Sequence, residues 1–297
     1  MDIIKYESLL KIVQYGSLTK AGEALGYTQS GMSHLLNSLE DELGVTLLIR
    51  DRSGIKLTSE GQRLIPYFQT ICSQQHEMDL LLTEILGGKG GLIRLATHTS
   101  IAGQWLPHIF QEFKKDYPKV SFELHEVATS VEVNILVKNR IVDCGIFTTS
   151  LYEKDYIPLY TDQLVAVLSP DHELSSAPYF PNDALDLYPY VALDESVSDS
   201  DTYTEIVKNV FASCRKIPKV SLHVTNEYTA LAMVAANQGF CILPQMTKDR
   251  TRRDLIYLPL ENPVYRYTCL AVSEGREDVR ILHNFIDTVQ TWVENNY

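Results

Sequence analysis

Apolar positions in the N-terminal part of the chain recur at helical spacing. Tyr6, Leu9, Leu10 and Val13 fall at i, i+3, i+4 and i+7, one face of a helix that Gly16-Ser17 ends. Ser17 or Thr19 can cap a second helix over about 18–25, with Ala21, Ala24 and Leu25 turned inward. Gly26-Tyr27 makes a short turn. Thr28 or Ser30 then opens a third helix reaching Leu43, with Met32, Leu35, Leu36 and Leu39 on its buried side. Two short helices joined by a tight glycine-containing turn form the helix-turn-helix pattern. Val45 to Leu57 reads as two short strands around Asp51-Arg52-Ser53-Gly54, a wing beside the third helix.

Thr58 to Leu86 reads as one long helix. Leu64, Phe68, Ile71, Gln75, Met78, Leu82 and Ile85 alternate spacings of four and three, a coiled-coil seam. Pro66 is expected to bend its first turns. Gln75 places a polar residue in the seam, a device that sets register. A helix packed on its own domain is the alternative. The charged and polar flanks (Gln74, Glu77, Asp79, Glu84) leave only a narrow apolar stripe, which favours a dimer helix.

Gly87-Gly88-Lys89-Gly90-Gly91 is the strongest linker signal. Beyond it the pattern changes to strands alternating with helices. Strands are expected at Leu92–Ala96, Val120–Val127, Asp143–Phe147, Gln163–Leu168, Tyr190–Leu193, Lys219–Val224, Gly239–Leu243, Leu255–Leu258 and Arg266–Val272. Helices are expected near 101–116, 130–138, 202–213, 227–238 and 277–295, with a short one from Pro244. Such alternation predicts parallel sheets, and the length of residues 91–297 predicts two α/β lobes with a cleft. The fold class is therefore α/β with an all-α N-terminal part.

The formal net charge of −12 argues against non-specific nucleic-acid binding. The charge is unevenly spread: −3 over residues 1–90 and −9 over the rest. A DNA reader here must rely on a few placed residues and on self-association. No apolar run is long enough for a transmembrane helix, and Asp2, Lys5, Glu7 and Lys11 interrupt any signal-peptide core, so a cytoplasmic protein is expected. The cysteines (Cys72, Cys144, Cys214, Cys241, Cys269) are scattered without a CxxC and read as reduced, mostly buried thiols. A redox role for Cys144 or Cys214 stays open. Phosphate loops with GK[ST], G-x-S-x-G, HxH and HExxH are all lacking, so catalysis, a metal and a cofactor are not expected.

If the third helix enters the major groove, its N-terminal residues face base edges: Thr28, Gln29, Ser30, Ser33, His34 and Asn37. Gln and Asn suit adenine; Ser, Thr and His bond bases or phosphates. Arg50, Arg52 and Lys56 on the wing are candidates for phosphate or minor-groove contact. The expected partner is double-stranded DNA. A solvated helix face or surface salt bridges would look similar, residue by residue.

The segment GSLTKAGEALGYTQSGMSHLLNSLEDELGVTLLIRDRSGIKLTSEGQRLIP resembles the DNA-binding part of LysR-type transcriptional regulators, down to the LT-x-x-G that opens the linker helix. LIRLATHTSIAGQWLPHIFQEFKKDYPKV, NRIVDCGIF and MVAANQGFCILP resemble stretches of the family's regulatory part, so the likeness covers essentially the whole chain. It implies a winged helix-turn-helix over 1–58, a linker and dimerisation helix over 59–90, and an effector-binding part over 91–297 like a type II periplasmic binding protein. One lobe would be 91–161 plus 268–297 and the other 162–267, with hinges near Tyr160–Gln163 and Tyr267–Thr268. It also implies dimers of dimers, a small-molecule effector between the lobes, and RNA polymerase as a candidate partner. Residue by residue, Thr99, Ser100 and Thr129 would face the effector from one lobe, and Thr202, Tyr203 and Asn226 from the other. Hydroxyls at helix N-termini suit a carboxylate, yet His98 is the one nearby residue that could become cationic, and Glu227 would oppose an anion. Two departures stand out. Gly22 and Gly31 replace the family's more usual Ala, at a cost of about 1 kcal/mol per site. No Lys or Arg lies between Lys20 and Arg50.

Overall fold

The computed structural model describes residues 2–51, 54–85, 90–150, 154–193, 202–250, 254–276 and 279–297. The head begins with α1 (Ile3–Tyr15), α2 (Leu18–Leu25) and α3 (Gln29–Leu43). Side-chain caps start all three: Asp2 accepts from Ile4 N, Ser17 from Lys20 N and Thr28 from Gly31 N. Gly16, Gly26 and Gly44 end them in the left-handed conformation. Leu9, Ile12, Ala21, Met32, Leu36, Leu39 and Leu47 form the core between them. Ala24, expected inward, is exposed; α2 is only two turns long and buries Leu18, Ala21 and Gly22 instead. Strands β1 (Leu48–Asp51) and β2 (Gly54–Leu57) pair antiparallel as the wing.

Gly22 is more than the propensity cost its residue type implies. A Cβ there would lie 2.6 Å from the Tyr27 carbonyl oxygen, so the close crossing of α2 and the turn requires glycine. Gly31 has no such constraint: its nearest neighbour would be Thr28 Oγ1 at 3.4 Å.

Helix α4 (Ser59–Ile85) runs through Pro66, whose carbonyl accepts from the Thr70 hydroxyl. Its first turns close the head core through Phe68, stacked on Tyr6 at 4.8 Å between ring centroids, and Cys72. Beyond that the helix has two contrasting faces. Tyr67, Ile71, Met78, Leu81, Leu82 and Ile85 are exposed. Ser73, His76 and Leu80 are buried.

The rest is a mixed six-stranded sheet in the order β4-β3-β5-β10-β6-β9, plus a two-stranded parallel pair β7-β8. Strand β3 (Gly90–His98) lies parallel to β4 (Lys119–Val127) and β5 (Cys144–Thr149). Gly90 and Gly91, expected in the linker, belong to β3. Strand β6 (Ile157–Leu168) pairs antiparallel with β10 (Ile256–Val272) and with β9 (Cys241–Pro244). The all-parallel expectation therefore fails. The strands expected at Leu255–Leu258 and Arg266–Val272 are one strand, irregular between Pro259 and Val264. Because β6 and β10 pair along their length, with Tyr160 opposite Thr268 and Asp162 opposite Arg266, a single ladder joins both ends of the sheet. Strands β7 (Pro189–Leu193) and β8 (Lys219–Val224) attach through the Tyr190–Phe240 bridge.

The helix expected over 101–116 is two: α5 (Thr99–Gln104) and α6 (Leu106–Asp116). Pro107 cannot donate to the preceding turn, and Trp105 at the break is fully buried against Tyr160, Trp292 and Tyr297. Helices α6 and α10 (Arg280–Asn296) share a core of Trp105, Ile109, Phe113, Phe285 and Val289. Helix α7 (Ser130–Lys138) covers the other sheet face with Val133 and Val137 against Phe147. Helices α8 (Thr202–Ser213) and α9 (Glu227–Ala235) close a separate core of Leu164, Val191, Phe211, Val234 and Phe240.

Candidate reading face and cleft

The N-terminal face of α3 is available. Thr28, Gln29, Ser30, His34 and Asn37 are exposed, while Ser33 is half-buried and has a partner of its own. Thr28 is partly committed, because its hydroxyl caps Gly31 N at 3.1 Å and lies 3.0 Å from Ser30 Oγ. Lys56 is exposed on the wing; Arg52 and the side chain of Arg50 lie outside the described residues. Two of the head's lysines are engaged within the protein. Lys5 contacts Glu42 and donates to Ser38, and Lys11 reaches Glu123 on β4 at 2.8 Å. Hydrogen bonding to His125 and the nearby Lys11 and Arg94 hold the Glu123 carboxyl well below its ordinary range.

The second site is a cleft of about 750 Å³ lined by the ends of β3, β4 and β5, by α5, and by the starts of α8 and α9. Of the effector candidates, Thr99, Ser100, Tyr203 and Asn226 line it together. Thr129 does not. Its side chain forms a reciprocal capping box with Glu132, accepting from Glu132 N while the Glu132 carboxylate accepts from Thr129 N. The Thr202 side chain lies outside the described residues. Two of the four cleft candidates have structural duties as well: Asn226 caps Thr229 N at 2.9 Å, and the Tyr203 hydroxyl donates to the Ile242 carbonyl.

The sequence reading missed Gln104, His108, Thr148 and Arg266 at the cleft. Arg266 is the important omission, since His98 had been the one cation candidate. Burial and the nearby Arg266 guanidinium push the His98 imidazole down to about 4, so it is neutral at pH 7. The Ser130 hydroxyl donates to the Thr148 carbonyl at 2.5 Å, which leaves it to accept from His98 Nε2 at 3.1 Å. Arg266 sits mid-strand with no motif around it; only the β6–β10 register exposes its role.

Cys144, Cys241 and Cys269 are fully buried and Cys72 nearly so, and all five cysteines are free thiols. Burial raises the Cys144 thiol far above its ordinary range, which removes the thiolate that redox sensing requires there. Cys214 is half-buried. No helix of the described residues is long and apolar enough to cross a membrane.

A capped helix-turn-helix with an open reading face, joined by a long helix to a cleft between sheet ends, defines a ligand-responsive DNA-binding protein. Residues 5–62 match the bacterial regulatory helix-turn-helix protein family, lysR type, and residues 86–294 match the LysR substrate binding domain. The chain belongs to the LysR family of transcriptional regulators, which are not enzymes. Among its relatives, the HTH-type transcriptional regulator YvbU of Bacillus subtilis is 30% identical, the match covering 93% of this chain and 94% of that one. BenM of Acinetobacter baylyi is 24% identical over 98% and 95% of the two chains. Full-length OxyR from Pseudomonas aeruginosa superimposes with a TM-score of 0.71 at 17% identity, covering 97% of this chain and 94% of that one. CbnR in complex with its target DNA gives 0.65 at 17% identity, covering 98% and 100%.

Proposed function

We propose that this regulator reads double-stranded DNA with the N-terminal face of α3 and senses a small molecule in the cleft. Thr28, Gln29, Ser30, Ser33, His34 and Asn37 approach base edges, and Arg50, Arg52 and Lys56 approach the backbone. Residues 1–58 act as the reading domain and 59–90 as the linker. Residues 91–297 act as the sensor, with lobes 91–161 plus 268–297 and 162–267. The exposed apolar stripe of α4 pairs two copies, and two such dimers make a tetramer. The protein works in the cytoplasm, where RNA polymerase is a further candidate partner. The observation that carries this reading is the contrast on α3, whose apolar residues are buried in the head core while its polar N-terminal residues are exposed. Similarity in fold to a regulator crystallised on its DNA supports it.

Selection of genomic fragments by the purified protein, followed by footprinting, tests this function. The expected result is a long protected region with two half-sites. Absence of sequence-specific protection, both alone and with cell metabolite extract, would overturn it.

A further inference from the structure

We propose that Glu40 is a positioning residue for DNA recognition: its carboxylate fixes the wing on α3, so that the two engage one duplex in a set register. The proposal rests on reading α3 and the wing as the DNA-binding face. Glu40 is half-buried in the last turn of α3, one turn beyond the exposed Asn37. Helix stability does not account for a carboxylate there. It opposes the negative end of the helix dipole, and Asp41 and Glu42 follow it with no basic residue in that turn. Two backbone donors do account for it. Glu40 Oε1 accepts from Leu47 N at 2.6 Å and from Leu48 N at 3.1 Å, at the base of β1.

The ladder of the wing leaves Leu48 N to this bond. Leu48 faces Leu57, and Thr58 N donates to the Leu47 carbonyl at 2.9 Å, which makes Leu48–Leu57 a pair whose N–H groups point away from each other. The base of β2 is held from α4. The Thr58 hydroxyl donates to the Thr46 carbonyl at 2.7 Å and accepts at 2.9 Å from Gly61 N in the first turn of that helix. A Cβ at Gly61 would lie 2.3 Å from the Leu47 carbonyl oxygen, so α4 seats directly on this segment. Residues 46–48 are thus gripped by α3 through Glu40 and by α4 through Thr58. Arg50 stands two residues from Leu48 and Lys56 two from Thr58, about 7 Å along the strands. Movement of the wing against α3 would carry those cations off their phosphates while leaving the α3 contacts in place.

The test is a double-mutant cycle in the full chain, read by gel-shift titration on the fragment recovered by the genomic selection. One arm is Glu40→Ala; the other carries Arg50→Ala, Arg52→Ala and Lys56→Ala together. Expected for Glu40→Ala alone is an affinity loss of about tenfold, with a shallower salt dependence and unchanged base preference at the positions α3 reads. Added to the triple wing variant at the same low salt, it should cost less than about twofold. Glu40→Gln keeps an oxygen for both N–H groups and should stay within about threefold of the natural chain. Circular dichroism checks folding; Glu40→Asp, shorter by one methylene, takes the place of Glu40→Ala in the cycle if that variant does not fold. An equal loss in both backgrounds is what a role in stability alone produces, and it would overturn the proposal. So would Glu40→Ala binding like the natural chain, or Glu40→Gln binding as poorly as Glu40→Ala. If the natural chain selects no fragment, or the wing substitutions leave binding intact, the reading of the DNA-binding face fails and the proposal with it.

Discussion

The head buries no ion pair among the described residues. Lys5 and Glu42 pair near its surface, and its core is apolar apart from Ser8 and the hydroxyl of Tyr6. The regulatory half buries two Arg–Asp pairs among the described residues. Arg266 and Asp162 join the long strands β6 and β10. Arg276 and Asp143, each 1% exposed, form the other, and Arg276 also donates to the Ser73 carbonyl and hydroxyl of α4 at 3.1 Å. His76 of α4 reaches the same Asp143 at 3.3 Å, and Asp143 accepts from Arg94 N at 2.7 Å. Helix caps and apolar packing thus suffice to set a small three-helix unit. Segments distant in the chain, and the seat of the linker helix, are instead tied by directional charged groups. The head leaves Gln29, His34 and Asn37 of α3 exposed; the regulatory half spends many of its polar groups on holding itself together.

The largest effect should come from breaking the buried junction. Arg276→Met leaves Asp143 without its guanidinium, and loss of one partner of a buried pair costs about 3–5 kcal/mol. Urea unfolding followed by circular dichroism measures it. Lys5→Met, which removes the surface pair of the head, should cost less than about 1 kcal/mol. Equal costs would erase the contrast between the two regions.

Base contacts come next. Gln29→Ala and Asn37→Ala should each weaken specific DNA binding by about 1–3 kcal/mol and relax base preference, without lowering the unfolding midpoint. Lys56→Ala should weaken all sequences alike and flatten the salt dependence. Gel-shift titrations at two salt concentrations distinguish these patterns. If all three leave binding unchanged, α3 is not the reading helix.

The two helical glycines sharpen the picture of the head. Gly31→Ala should raise stability by up to about 1 kcal/mol, because the new methyl has room. Gly22→Ala should lower it, because the methyl would collide with the Tyr27 carbonyl. Thermal melts of the two variants should move in opposite directions.

The smallest effect vanishes at neutral pH. The folded His98 imidazole titrates near 4 against an ordinary 6.5. Below pH 6.5 the unfolded chain takes up a proton that the folded one refuses, so stability present above 6.5 is lost as pH falls toward 4. His98→Asn should lose less between pH 7 and pH 5 than the natural chain. Identical losses in urea midpoints would remove His98 as the cause.

Much of the head could be read from residues alone. Periodicity placed α1 to α3, and Ser17 and Thr28 cap as short-range hydrogen bonding requires. The α4 stripe was legible in part: Ile71, Met78, Leu82 and Ile85 stay exposed, while Leu64 and Phe68 pack into the head core. Ala24 was misjudged, and the need for glycine at Gly22 was not legible, because both depend on what crosses the helix, which local spacing does not state.

The regulatory half divided differently. Strand and helix positions followed from the hydrophobic alternation, and the family resemblance brought Thr99, Ser100, Tyr203 and Asn226 to one cleft. Thr129 turned inward because a glutamate three residues on completes a capping box. Elements, caps and exposed faces are settled within a few residues, by bonds whose partners are sequence neighbours, so the chain by itself determines them. Which strand runs beside which, and hence that Asp162 pairs with Arg266 across a gap of 104 residues, was decided only by the tertiary structure. Strand register is a long-range choice made by the packing of the whole sheet.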